Sequence, residues 1–422
     1  MKKILCLLLG AALLLPVTGL AQNASRDAIR EDVRRAASNS HSYEFNPVSD
    51  TPAPRGYKPF YISHYGRHGS RSGWNMVYGE LENRLLQAKD WGILKPEGDT
   101  LITICHYADS CFRGMNGRLT PKGVAEHKLI AERMYKRYSK VLGGDIRIRA
   151  IASMAQRCII SMASFTNTLS AHNPDIEWDF DSGEVYQQYI AVSGMQEEDY
   201  SVLDSLVRAV TAEGYATEDV NYSFEKLFTD TEKAATLFAS KAQLSDYLYE
   251  VATYAEDFGY DETLYRYMSE DALYNRYVRS NVYLYVRQCN SAELGWRRLE
   301  NCAKPLYLDV LNKAEEAIAG GPYAADLRFG HEYNAICLAA YLMIEGACEP
   351  WPAAEVCDHW CSGIQSCMAT NVQMIFYRNR AGRVLVKFLY QEQESTISGL
   401  ETDTWPYYDW ESYKSYISSH RP

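Results

Sequence analysis

At 422 residues with ordinary apolar content, the chain suits one large or two medium domains with ample core. Its formal charge of −11 excludes non-specific binding to nucleic acid or to an anionic membrane surface. Any anionic substrate then needs a local basic pocket that works against the global field.

The chain starts with Met1-Lys2-Lys3, an apolar run from Ile4 to Leu15, and Gly19-Leu20-Ala21 before Gln22. A charged start, a short apolar centre and small residues at the exit identify residues 1–21 as a secretory signal peptide, too short to span a bilayer. Cleavage near Ala21 implies an exported chain, periplasmic or extracellular, with no membrane insertion. Loss of Lys2 and Lys3 makes the remaining balance more acidic.

Ser25 is expected to cap a short helix that carries Ile29, Val33 and Ala37 on one face. The run from Tyr57 through Ile62 reads as a buried strand. It leads into Arg67-His68-Gly69-Ser70-Arg71, where two guanidiniums flank one imidazole. Arginine presents a fork of donors suited to phosphate oxygens, and imidazole acts as nucleophile or base. Gly69 leaves room for close approach to the backbone. The pattern points to transfer of an anionic group, most simply phosphoryl, onto His68. A solvated surface charge cluster is the plainer reading of the same residues. His64, nearby, is read as structural or as a support behind the reacting groups.

In Leu119-Thr-Pro-Lys-Gly123, Thr120 caps a helix, Pro121 suits its first turn, and Ile130, Met134 and Tyr138 repeat at helical spacing. Asp145 to Ala152 alternates as a strand, after which Ser153 is expected to cap a helix with Arg157 in its first turn, a candidate anion site. The competing reading is an exposed helical arginine. From 175 to 321 acidic, tyrosine-rich amphipathic patterns replace strand alternation. They predict a mostly helical insertion between two halves of an α/β domain, 22–174 and 322–422. A short strand then runs into Gly330-His331-Glu332 ahead of an apolar helix, placing a histidine and an acid at a strand's C-terminal end. Glu332 also suits a helix start by complementing its dipole. Val372 to Tyr377 and Val384 to Tyr390 flank a turn at Asn379 to Gly382 and predict a hairpin.

Beyond Cys6, ten cysteines remain, and export makes disulfides an expectation whose pairing the sequence leaves open. Cys357, His359 and Cys361 fit no standard zinc spacing, so a disulfide-stapled loop over 348–367 is preferred to a metal site.

Taken together, these motifs resemble those of the histidine acid phosphatases, the phytase-containing branch of the histidine phosphatase superfamily. The nucleophile motif stands as Arg67 to Arg71, the Leu-Thr-Pro-x-Gly element as Leu119 to Gly123, Ser-x-x-x-Arg as Ser153 to Arg157, and the His-acid motif as His331-Glu332. Val384 to Leu389 resembles the family's late strand. The matches run in the family's order from the first strand to residue 390.

Two departures stand out. Arg71 is followed by Ser72-Gly73 where a proline is usual, and Glu332 stands where relatives carry His-Asp or His-Ala-Glu. The resemblance implies an α/β fold with a central mixed sheet flanked by helices. It implies His68 as nucleophile, Glu332 as proton donor, and Arg67, Arg71, Arg157 and His331 as phosphate holders. It implies no cofactor and no metal, because the arginines supply the positive charge.

The partner expected is a small anionic phosphomonoester, in the inositol polyphosphate (phytate) group that the Tyr61–Arg71 context favours. Lys95, Arg118 and Lys122 are candidates for extra cations at the mouth. A broad acid phosphatase, a sugar-phosphate phosphatase and a mutase-like transferase share the core chemistry. A secreted phosphate-ester binding protein that lost turnover is the rival from another class.

Overall fold

The sheet is built around β1 (Lys58–Arg67), which is buried from Tyr61 to its end. This computed structural model describes residues 23–260 and 263–420, so the expected signal peptide lies outside the described residues. Parallel neighbours continue on one side of β1 through β4 (Tyr323–Gly330), β2 (Ile146–Ala152) and β3 (Ile176–Asp181). On the other side β5 (Asn371–Arg378), β6 (Val384–Tyr390), β7 (Gln393–Glu394) and β8 (Tyr407–Asp409) run antiparallel to their partners, which makes the sheet mixed. The β5–β6 turn closes as expected: Asn379 Oδ1 accepts from the Ala381 and Arg383 amides, both at 3.0 Å.

Strand alternation assigns the two faces. Ile62 packs under α4 (Pro121–Leu142) and α5 (Gln156–His172), in a core with Ile148, Leu327 and Phe329. Tyr61 and Tyr65 face the opposite layer of α12 (Gly295–Ile318), α13 (Glu332–Tyr341) and the C-terminal α16 (Trp410–His420). Trp410 and Tyr413 fold back onto Phe376 and Phe388, with ring centroids 5.0 and 4.6 Å apart.

A separate helical layer has its own core. It contains α10 (Lys241–Thr253) and the first half of α11 (Glu270–Gln288), together with α2 (Tyr78–Asp90) and α3 (Pro96–Phe112). Between β3 and α10 lie α6 (Glu184–Ile190), α7 (Glu197–Thr217) and the short α8 (Tyr222–Leu227) and α9 (Thr231–Ala235). Two details depart from the expected division at 175. The sheet continues into β3, because Ile176-Glu-Trp-Asp-Phe-Asp181 alternates and pairs with β2. The helical layer also recruits α2 and α3 from the first half, since Leu81, Leu85 and Leu101 have their apolar partners there.

Other expectations shift by a cap. α1 (Ala24–Glu31) is capped by Asn23, and Ser25 is buried, donating to the Trp360 carbonyl at 2.6 Å. No disulfide joins the ten described cysteines, so the structure does not show the expected staple over 348–367. In that segment, which holds α14 (Val356–His359) and α15 (Ser362–Gln365), Cys361 accepts from the Tyr277 hydroxyl at 3.1 Å. His359 stacks on Trp351 at 3.6 Å rather than joining Cys357 and Cys361. Among the described residues no helix is long and apolar enough to cross a membrane.

Candidate active site

Register puts three strand ends side by side. Arg67 on β1 pairs with Gly330 on β4, and Phe329 on β4 with Ala152 on β2. The segments leaving those ends carry His68, His331 and Arg157, which is how residues far apart in sequence converge at the C-terminal edge of a sheet. His68 and His331 meet edge to face with centroids 5.8 Å apart. Arg157 Nη2 lies 3.4 Å from His331 Nδ1, and Arg67 Nε lies 3.5 Å from the Glu332 carboxylate. All six residues singled out in the sequence belong to this cluster; Arg71 joins it beside Arg157, both guanidiniums facing the Trp74 ring at 5.0 and 5.2 Å.

The loop is clamped against the start of α4. A Cβ on Gly69 would come within 2.5 Å of the Gly123 carbonyl, and one on Gly123 within 2.3 Å of the Ser70 carbonyl. The two backbones therefore touch, and neither position has space for a side chain. Thr120 caps α4 as expected, and its hydroxyl donates to Asp257 at 2.7 Å.

Glu126 accepts from the Ser70 amide and hydroxyl, both at 2.7 Å, and from the Tyr43 amide at 3.0 Å. His127 Nε2–H donates to the Arg67 carbonyl at 3.1 Å, and Ser161 Oγ accepts from the Gly69 amide at 3.1 Å. Sequence reasoning passed over these supports, as it did Trp74. The available signal was a pair of polar residues, Glu126-His127, on the buried stripe of α4 between Gly123 and Ile130.

Ser153 is not the cap expected for α5. The helix begins after Ala155 without a side-chain cap, and Ser153 Oγ sits 3.0 Å from His331 Nε2. The uncapped first-turn amides add to the positive end of the α5 dipole near Arg157. Tyr65 holds the opposite flank, its hydroxyl accepting from the His331 amide at 3.0 Å and donating to the Ile190 carbonyl at 2.9 Å. His64 lies behind the site with its ring against Phe165 and Phe329, in keeping with a structural role.

Electrostatics set the protonation states. Burial, followed by the charges of Arg67 and Arg157, holds the His68 imidazole well below its ordinary value. Its Nδ1–H donates to the Gly69 carbonyl at 2.9 Å, which leaves the Nε2 lone pair free. Burial also lowers His331, to about 4, with Arg157 and Arg67 adding to it and Glu332 opposing. Burial pushes Glu332 upward, but Arg67, His331 and its own backbone amide outweigh that and hold the carboxyl at about 2.

Arg67 is fully buried and anchored through Nη1 on the Asn39 and Ser366 carbonyls at 2.5 and 2.8 Å. Its Nε and Nη2, with Arg71 Nε and Arg157 Nε, are buried without hydrogen-bond acceptors. Such a cluster of desolvated donors is complementary to a tetrahedral oxyanion.

By spacing alone, His68, His331 and Glu332 could ligate one cation, their donor atoms lying within 4.8 Å of one another. Three surrounding guanidiniums make that position repulsive to a metal ion and attractive to an anion. A second grouping, Asp32, His41 and Glu44, already has its carboxylates bound by Arg34 and Arg35. Of the mouth candidates, Lys122 pairs with Glu256 at 3.0 Å, Lys95 donates to the Glu225 carbonyl, and Arg118 is exposed.

No protein-family model and no curated protein matches the chain. Solved structures do. The Bifidobacterium longum multiple inositol polyphosphate phosphatase in complex with inositol hexasulfate superposes with a TM-score of 0.70 at 18% identity, over 92% of this chain and 98% of that one. A D. castellii phytase gives 0.69 at 12% identity, over 92% and 85%. A Hafnia alvei phytase in complex with myo-inositol hexakis sulphate gives 0.52 at 12% identity, over 87% and 98%. At these identities the likeness is one of fold.

Proposed function

We propose that this chain is an exported histidine acid phosphatase that hydrolyses phosphate monoesters of inositol through a phosphohistidine intermediate. The observation that carries the reading is the neutral, buried His68 with a free Nε2, set among buried arginine donors that lack acceptors. A non-catalytic anion site has no need of a nucleophilic imidazole and a carboxyl within 4.8 Å of each other. The fold likeness to an inositol polyphosphate phosphatase and a phytase supports the substrate class by analogy.

In the proposed cycle the phosphate oxygens lie on Arg67, Arg71 and Arg157, with His331 beside them. His68 Nε2 attacks phosphorus in line, the bond to the ester oxygen breaks, and Glu332 gives its proton to the departing alkoxide. Water then attacks phosphorus, Glu332 takes a proton from it, and the P–N bond breaks to release neutral His68. In the free enzyme Glu332 is ionised at any moderate pH. A phosphate dianion beside it offsets the arginine charge and raises the carboxyl, so substrate binding itself creates the acid. The helical layer over the strand ends serves as the cap that receives the alcohol.

The test is phosphate release from phytate, glucose 1-phosphate and an aryl phosphate without added metal, beside His68→Ala. Turnover on at least one ester is expected, with a loss on the order of a thousandfold or more in the variant. Acid quench of labelled substrate should trap an acid-labile phosphoenzyme in wild type and none in His68→Ala. Turnover that survives the substitution would overturn the mechanism.

A further inference from the structure

A cavity of about 1150 Å³ is walled by α7, α10 and α11 and by Asn75 and Val77, on the segment that follows Arg71. Two chains of contact tie it to the site. Glu250, on its wall, lies against the loop after Arg71, where a Cβ on Gly73 would be 3.0 Å from its Oε1. Tyr283, also on the wall, lies near the Arg287 guanidinium at 5.7 Å; that group also faces Tyr333 at 5.8 Å, and Tyr333 stacks on His331 at 5.0 Å. An ester whose phosphate rests on the arginines therefore has this cavity as a neighbouring space for its alcohol.

The lining is mixed in charge. It offers Asp204, Asp246 and Glu250 against Arg208, Arg276 and Arg279. Arg276 is already committed, with Nη1 on the buried Glu218 at 2.7 Å and Nε on Asp246 at 3.1 Å. Arg208 and Arg279 have no carboxylate partner among the described residues, and with Asp246 engaged they stand beside Asp204 and Glu250, two cations against two carboxylates. Five phosphates beyond the one attacked would meet repulsion here as much as attraction. The remaining surface is rich in tyrosine, with Tyr215, Tyr247, Tyr249 and Tyr283. Aromatic faces and carboxylates suit the C–H faces and hydroxyls of a polyol ring.

We infer that the cavity selects a hydroxyl-rich leaving group carrying few further phosphates, a sparsely phosphorylated cyclitol or a sugar, over a fully phosphorylated ring. This rests on the phosphatase reading above; it narrows the substrate if the ring is inositol and moves it outside the inositol esters if the ring is a sugar.

The experiment compares kcat/KM for myo-inositol hexakisphosphate, an inositol monophosphate, a glucose phosphate and an aryl phosphate, in wild type and in Asp204→Asn/Asp246→Asn. Ratios are taken within one preparation, so loss of folded enzyme cancels. The expected result is a preference of about tenfold or more for a monophosphate over the hexakisphosphate. The double substitution should narrow that preference by about tenfold, the scale of two removed charges at partly screened distances. Whether inositol or glucose leads identifies the ring. Preference for the hexakisphosphate in wild type, or a ratio unmoved in the variant, overturns the inference while the phosphatase reading stands. Silence on all four esters, the aryl phosphate included, overturns both.

Discussion

At the scale of single residues, two hydrogen bonds and one charge balance define the chemistry. The Gly69 carbonyl fixes the His68 tautomer, and the Arg67 carbonyl is fixed in turn by His127. Glu332 is held ionised by Arg67 and His331 against its own burial, so its acid role depends on the bound dianion. Glu332→Gln should therefore lose about 100-fold or more on alkyl phosphates, whose alkoxides need a proton. On an aryl phosphate, whose phenolate leaves readily, the loss in the phosphorylation step should be much smaller. Burst kinetics with the two esters separate these steps. An equal loss in that step on both would place Glu332 outside proton transfer.

At the scale of elements, the site depends on how β1, α4 and the strand-end loops touch. Gly69 and Gly123 pack backbone to backbone, while Glu126 near the start of α4 binds the Ser70 amide and hydroxyl. Gly123→Ala should force the loop from the helix, at a cost of about 1–3 kcal/mol, the usual range for overpacking. Because that displacement moves Arg71 and His68 together, phosphate affinity should fall as well. Denaturant midpoints and inorganic-phosphate inhibition check both effects, and an unchanged inhibition constant would mean the clamp does not position the site. The motif residues at this junction were legible in sequence because their side-chain chemistry is unusual. Glu126 and Ser161 were not, since a polar residue in an amphipathic helix gives no local sign of the loop it will hold.

At the scale of the whole molecule, the sheet is covered by α4 and α5 on one face and by α12, α13 and α16 on the other. The price of burying the centre is a set of neutral histidines. Burial, with the charges of His127 and Arg328, lowers His64 to about 3; burial lowers His127 to about 4, its bond to the Arg67 carbonyl opposing. Between the ordinary histidine value of about 6.5 and these values, the unfolded chain takes up protons that the fold refuses. Stability is thus undiminished by these groups above about pH 6.5 and falls as pH drops towards 3–4. Each imidazole costs about 2 kcal/mol at pH 5. Urea midpoints between pH 7 and 5 should show that decline, and His64→Leu should flatten it by about one proton. An unchanged slope in the variant would exclude His64 as a source.

The sequence by itself determined the hairpin, the helix capped at Thr120, the strands entering Arg67 and His331, and the six residues of the cluster. Each of these rests on local periodicity, a cap or a side chain whose chemistry is rare at a loop. Tertiary structure alone decided that β4 lies between β1 and β2, because pairing partners are chosen by which buried faces match across hundreds of residues. It also decided that Ser153 serves His331 rather than capping α5, and that α2 and α3 join the helical layer. The cavity between α7, α10 and α11 likewise has no signature in the chain, since its charge balance exists only once Glu218 and Asp246 have engaged Arg276.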